Sequence, residues 1–134
     1  MNARAPAVAE IQGLYGPFSF PEKLLQRIWL RGAFDYAAAS LIDGRRVRVL
    51  HPGKWNLLGG PAFQGARLHV GDGPEIRGDV EVHLYAADWD AHGHARDRTY
   101  DGVVLHVVLF PPGRRRFTLG ADGREIPILA LLPL

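Results

Sequence analysis

The chain predicts an α+β (α/β) fold: a mixed, mainly antiparallel sheet of five or six strands with one main N-terminal helix packed on a face. Three observations point there. Residues 20–32 repeat their apolar side chains at helical spacing, several later runs alternate apolar and polar residues, and turn-forming pairs such as Asp43-Gly44 and Asp122-Gly123 separate the runs. At 134 residues the chain fits one domain with a real core.

Residues 1–18 are rich in Ala, Gly and Pro without periodicity and predict a flexible arm, leaving 19–134 as a single domain. Ser19-Phe20-Pro21-Glu22 reads as a capping box with proline in the first turn. Behind it Phe20, Leu24, Leu25, Ile28 and Trp29 form an apolar stripe, Lys23, Gln26, Arg27 and Arg31 face away, and Gly32 stops the helix. Tyr36–Ile42 and Arg45–Leu50 flank Asp43-Gly44 as the arms of a hairpin. In the second arm Val47 and Val49 alternate with Arg46 and Arg48, so one face meets solvent or an anion. Phe63–Val70 predicts a strand with Ala66, Leu68 and Val70 on one side and Arg67 and His69 on the other. Asp79–Tyr85 follows with the same alternation. Asp88–Asp101, interrupted by Gly93, predicts one or two helical turns plus loop. Val103–Phe110 is apolar on both faces except for His106, as in a central, doubly covered strand. Ile126–Leu132 closes the chain as a strand, and Pro127 argues for an edge position.

The chemistry concentrates in Gly78–Pro111. Four of the six histidines fall there (His83, His92, His94 and His106), with Asp79, Glu81, Asp88, Asp90, Asp97 and Asp101. There is no cysteine, which excludes disulfides and thiolate ligands, so a metal could be held only by imidazole, carboxylate, carbonyl or water. Strand pleating puts Asp79, Glu81 and His83 on one face, about 7 Å apart at i to i+2. Two readings stay open: an ordinary exposed sheet face, or a chelating surface that also serves as base and orienter for a water. His92-Gly93-His94 with Asp97 three residues on, and Asp88 nearby, could supply nitrogen and oxygen ligands to a metal ion, or form a hydrogen-bonded cluster. His106, alone on a buried strand, needs a polar partner, and the neighbouring Glu81/His83 strand is the expected one. The arginines at 45, 46, 48 and 114–116 could contact phosphates or simply be solvated. No phosphate-binding glycine loop, dinucleotide fingerprint or G-x-S-x-G elbow is present. No apolar run approaches the ~20 residues of a membrane helix, and no signal-peptide core is seen, so the expectation is a cytoplasmic protein without a membrane partner.

Several stretches resemble the uncharacterised bacterial DUF2851 family: EKLLQRIW, IDGRRVRVLHPGKWN, GGPAFQGARLHVG, EIPILAL and, above all, GDVEVHLYAADWDAHGHARDRTYDGVVLHVV. The resemblance covers about residues 22–131 and implies the N-terminal part of typically longer proteins. The element order in turn resembles the restriction-endonuclease-like core of PD-(D/E)xK nucleases. There an Asp opens the second strand and E-x-K lies on the third. Here Ala62 stands in G-P-A-F where related sequences tend to read G-P-D-F, and Glu81-Val82-His83 takes the place of E-x-K. The resemblance implies a divalent metal, magnesium or manganese in preference to zinc, and DNA or RNA as partner. The expected function is a metal-dependent phosphodiesterase. Glu81, His83 and His106 are the catalytic candidates, and Asp79, Glu81, Asp88, His92, His94 and Asp97 the candidate ligands. Because Ala62 and His83 depart from the nuclease pattern, the alternative is a non-enzymatic nucleic-acid-binding or assembly module. A cupin-like metal barrel built on the H-x-H is a third reading.

Overall fold

The computed structural model describes residues 20–32 and 39–132. The expected arm 1–18, Ser19 of the capping box and residues 36–38 of the hairpin's first arm lie outside the described residues.

Helix α1 spans Phe20–Arg31, with Glu22 in its first turn and Arg31 in its last, each complementing the helix dipole. Gly32 ends it at φ 64°, a left-handed conformation that glycine adopts without strain. Its inner face buries Leu25 and Trp29, while Leu24 is half exposed. Gln26, expected to face outward, is buried instead: its side-chain oxygen accepts a 2.7 Å hydrogen bond from the Trp55 indole.

Seven strands follow: β1 (Val47–His51), β2 (Lys54–Trp55), β3 (Phe63–Val70), β4 (Glu75–His83), β5 (Val103–Val108), β6 (Phe117–Leu119) and β7 (Glu125–Ala130). They form one mixed sheet in the order β1-β3-β4-β5-β7-β6, with β2 beside β3. The β4/β5 and β5/β7 pairs are parallel, and the rest antiparallel. The sheet is open, with β1 and β6 at its ends, so it is not a cupin-like barrel. Two strands more than the lower expectation arise from β2 and β6, too short to show alternation. The turn expected at Asp43-Gly44 is present, and Ser40 bridges Arg46 across it.

Strand β7 is not at the edge, contrary to the expectation from Pro127. Residues 125–127 pair only with β6, and residues 128–130 only with β5. The proline sits where the strand changes partners, so its missing N–H leaves the β5 ladder, which begins at Ile128, intact.

Pleating gives β4 two faces. Val80 and Val82 join Leu105, Val107, Leu68, Leu25 and Trp29 in the main core beneath α1. On the other face, a short helix α2 (Ala87–Ala91) and two 3-10 turns (His94–Arg96 and Arg98–Tyr100) cover the carboxyl-terminal half of β4, as expected for this segment. Trp89 and Tyr100 anchor them against Val103 and Ile126. Gly78 allows the start of β5 to close on β4, because a Cβ there would lie 2.4 Å from a Val104 methyl. Among the described residues, no helix is long and apolar enough to cross a membrane.

Candidate metal centre

The α2 cover converts the polar face of β4 from a solvated surface into an interior. Glu81, His83 and His94 are each less than 8% exposed, and His106 is fully buried. The register sets Glu81 beside His106 on β5 and His83 beside Val108. Gly93, at φ 68°, reverses the chain after α2 so that His92 and His94 both turn toward His83. The ring centroids of His83, His92 and His94 lie 5.2–5.4 Å apart. One nitrogen from each falls within 4.8 Å of the others, so the three could hold a metal ion. Two of these rings are buried and His92 is exposed, which opens the cluster to solvent on one side.

Glu81 borders two of the three. Its Oε1 accepts a 2.9 Å hydrogen bond from the Ala62 backbone N–H. Its Oε2 lies 3.0 Å from His94 Nε2 and 3.4 Å from His83 Nε2. The closer of these contacts is not an aligned hydrogen bond: His94 Nε2 is buried without a hydrogen-bond partner among the described residues. An orphaned buried nitrogen costs about 1–3 kcal/mol. An ion between the imidazoles and the carboxylate would use that nitrogen as a ligand and balance the Glu81 charge.

Behind the cluster runs a buried chain of polar groups. His83 Nδ1 lies 2.7 Å from His106 Nε2, and His106 Nδ1 lies 2.7 Å from Thr118 Oγ1 on β6. Burial, with the neighbouring His106, His94 and His92, pushes the His83 pKa down to about 2. Burial, with His94 and Arg115, pushes His106 down to about 3. Both rings are therefore neutral at pH 7. A neutral His83 that donates from Nδ1 to His106 presents its Nε2 lone pair toward Glu81 and the other imidazoles, the tautomer a metal ligand needs.

Aromatic rings fix the remaining histidine. The Tyr100 ring stacks on His94 at 3.7 Å and 15°, and Trp89 meets it edge-on at 5.1 Å. Trp89 is tied in place by its indole N–H, which donates to the Leu119 carbonyl. Burial first, then the Glu81 and Asp97 charges, raises the Tyr100 pKa, so the phenol stays neutral.

Of the residues singled out in the sequence, His83, His92 and His94 converge, Glu81 lies against His83 and His94, and His106 supports His83. The other carboxylates are engaged elsewhere. Asp79 Oδ1 accepts from the Gly65 N–H, and Asp88 Oδ2 from the Tyr85 N–H. Asp97 caps a 3-10 turn through the Thr99 N–H and hydroxyl, bonds that lower its pKa. Sequence reasoning missed Trp89, Tyr100 and Thr118. The first two were visible as aromatics flanking the H-x-H, whereas nothing around Thr118 signalled a strand reaching His106.

Fold and site together define an open-sheet α+β protein with a histidine-rich candidate metal centre between the sheet and its short helical cover. Residues 22–133 match the DUF2851 family model, described as a protein of unknown function, and the chain belongs to that family. No curated protein and no solved structure matches it.

Proposed function

We propose that this chain is a divalent-metal-dependent phosphodiesterase acting on nucleic acid, with its metal held by His83, His92 and His94 beside Glu81. The observation that carries this reading is the convergence of the His83, His92 and His94 nitrogens, with Glu81 Oε2 against two of them and His94 Nε2 without a hydrogen-bond partner among the described residues. Three nitrogens and one carboxylate suit zinc, manganese or iron better than magnesium, which prefers oxygen ligands. Of the magnesium or manganese that the nuclease resemblance implies, this donor set favours manganese, and it admits zinc as well. An ion there would supply Lewis-acid polarisation of a phosphoryl oxygen. Glu81 serves as ligand or as base, His106 holds the tautomer of His83, and the solvent side at His92 is the approach for substrate.

The strand order supports the endonuclease-like part of the reading. Helix α1, the antiparallel run β1-β3-β4, the α2 cover and the parallel strand β5 follow one another in an order compatible with the helix, three strands, helix and strand of that core. Ala62, just before β3, donates its N–H to Glu81, so the position that the nuclease resemblance aligns with an Asp lies against Glu81. What is absent at 62 is the carboxylate. That observation favours a second reading, in which the same metal centre stabilises a nucleic-acid-binding module without cleavage.

Titration calorimetry with zinc and manganese is expected to give one ion per chain, lost in His94→Ala. Incubation with labelled oligonucleotides in those metals is expected to give cleavage that Glu81→Gln abolishes. Intact oligonucleotides in every metal, with one ion bound, would sink the phosphodiesterase and leave the binding module.

A further inference from the structure

Only part of the polar sheet face is covered. Beyond the α2 segment, the same face continues across β4, β3 and β1 and carries a set of arginines. Register places Arg48 beside His69, His69 beside Glu75, and Arg67 beside Arg77. Along β4 the pleat runs Arg77, Asp79, Glu81, His83 on this one face, so Arg77 stands about 13 Å from Glu81 at the usual rise per residue. Arg46, Arg48 and Arg77 are exposed, and no carboxylate among the described residues forms an ion pair with any of them. Arg67 differs, being held by both oxygens of Glu75 at 2.7 and 3.1 Å.

At the far end of the face lies a cleft of about 400 Å³ between Arg46, Arg48, His69 and the turn Gly71-Asp72-Gly73. The His69 ring is fixed, with Nδ1 donating to the Gly73 carbonyl at 3.1 Å. Asp72 is the one carboxylate in the lining, and it is exposed. Two guanidiniums two residues apart on one strand face, above an open cleft, fit an anion approached from solvent. The cleft has no buried donor that would select a small free anion. The exposed guanidiniums instead continue beyond it, Arg46 just before β1, Arg48 on it and Arg77 two strands over on β4, which suits a polyanion with regularly spaced phosphates.

We infer that this open half of the face binds a nucleic-acid backbone, one phosphate seating between Arg46 and Arg48 and the strand passing Arg77 toward the metal centre. The inference rests on the function proposed above for its direction, since the metal centre lies at the other end of the same face. It supplies what the metal centre lacks, a means of holding substrate before the ion meets it. Phosphate contacts fix register without reading bases, so binding is insensitive to sequence.

The test is fluorescence anisotropy with labelled single-stranded and duplex oligonucleotides, in the Glu81→Gln background so that nothing is cut. Replacing Arg46 and Arg48 together by Gln is expected to weaken binding by roughly 10-fold or more and to flatten the slope of log K against log salt by about 1.4 for single strands or about 1.8 for duplex. Arg27→Gln, on the exposed side of α1, is expected to change neither. Thermal melts of each variant establish that the fold is kept. Unchanged affinity in the double variant overturns the inference. So does an equal loss in Arg27→Gln, or a preference for anionic lipid vesicles that oligonucleotide cannot displace. Arginine-dependent binding without cleavage by the wild-type chain upholds this surface and sinks the phosphodiesterase. Cleavage with unchanged binding in the double variant does the reverse.

Discussion

Leu105 and His106 are consecutive on β5, both fully buried, and point to opposite faces of the sheet. Leu105 lies in the core under α1, where burial is favourable whatever its neighbours' orientation, at about 25 cal/mol per Å² of apolar surface. His106 lies between His83 and Thr118, where burial is tolerable only because both ring nitrogens have partners. At these two positions the faces are equally dry but differently stabilised. The apolar face explains why the chain folds. The polar face is a cost to folding that is offset by specific partners, and among the described residues its His94 Nε2 has no hydrogen-bond partner.

The largest effect that tests this contrast is on the apolar side. Leu105→Ala is expected to lose about 2–5 kcal/mol in urea unfolding, through lost transfer energy and the cavity left behind. Metal stoichiometry should be unaffected. If the variant unfolds at the wild-type midpoint, the α1 face is not the dominant core.

On the other side, His106→Leu keeps the volume but leaves His83 Nδ1 and Thr118 Oγ1 without partners, each worth about 1–3 kcal/mol. The distinguishing measurement is metal affinity, which should fall roughly 10–100-fold because His83 is no longer held in one tautomer. A variant that loses stability but binds zinc or manganese as before would make His106 structural only.

These faces were unequally legible in the sequence. Leu25, Trp29, Val47, Val49, Ala66 and Leu68 could be assigned to the core because burial follows the helical or strand period directly. Glu81 and His83 could be placed on one surface by the same alternation, and His106 beside them by its need for a polar partner. What the period does not encode is whether that surface is covered, and α2 with Trp89 decides it through tertiary packing. Nor does it encode where a carboxylate turns. Asp88 and Asp97 bond to nearby backbone N–H groups, a local competition that composition cannot reveal. Strand β6 was hidden by its brevity, and the position of β7 by a partner change at Pro127 that has no local signature.

Acid sharpens the comparison further. His83 and His106 titrate at about 2 and about 3 in the folded chain, against 6.5 for an unburied imidazole. Below pH 6.5 the unfolded chain therefore binds more protons. Stability is full above that pH and is lost as pH falls toward the folded values. For metal-stripped protein the loss approaches about 1.4 kcal/mol per pH unit for each ring. Urea midpoints between pH 7 and pH 5 in ~0.5-unit steps would show it. His106→Leu should show a shallower acid dependence than wild type, whereas Leu105→Ala should be shifted without a change of slope.

The smallest effect expected is at Asp97, and it separates residues near the candidate metal centre from residues in it. Both carboxylate bonds of Asp97 go through one oxygen to Thr99, on the exposed turn that follows His94. Removing them frays that turn but leaves Tyr100 stacked on His94 and leaves Glu81 on the Ala62 N–H, because neither contact passes through Asp97. Asp97→Ala is therefore expected to bind zinc or manganese within about 3-fold of wild type, less than the loss typical for a residue that orients a ligand. His94→Ala, three residues earlier, should abolish binding in the same calorimetric titration. A drop of ~10-fold or more in Asp97→Ala would mean that the carboxylate leaves Thr99 when the ion arrives, and the centre would then include the 97–99 turn.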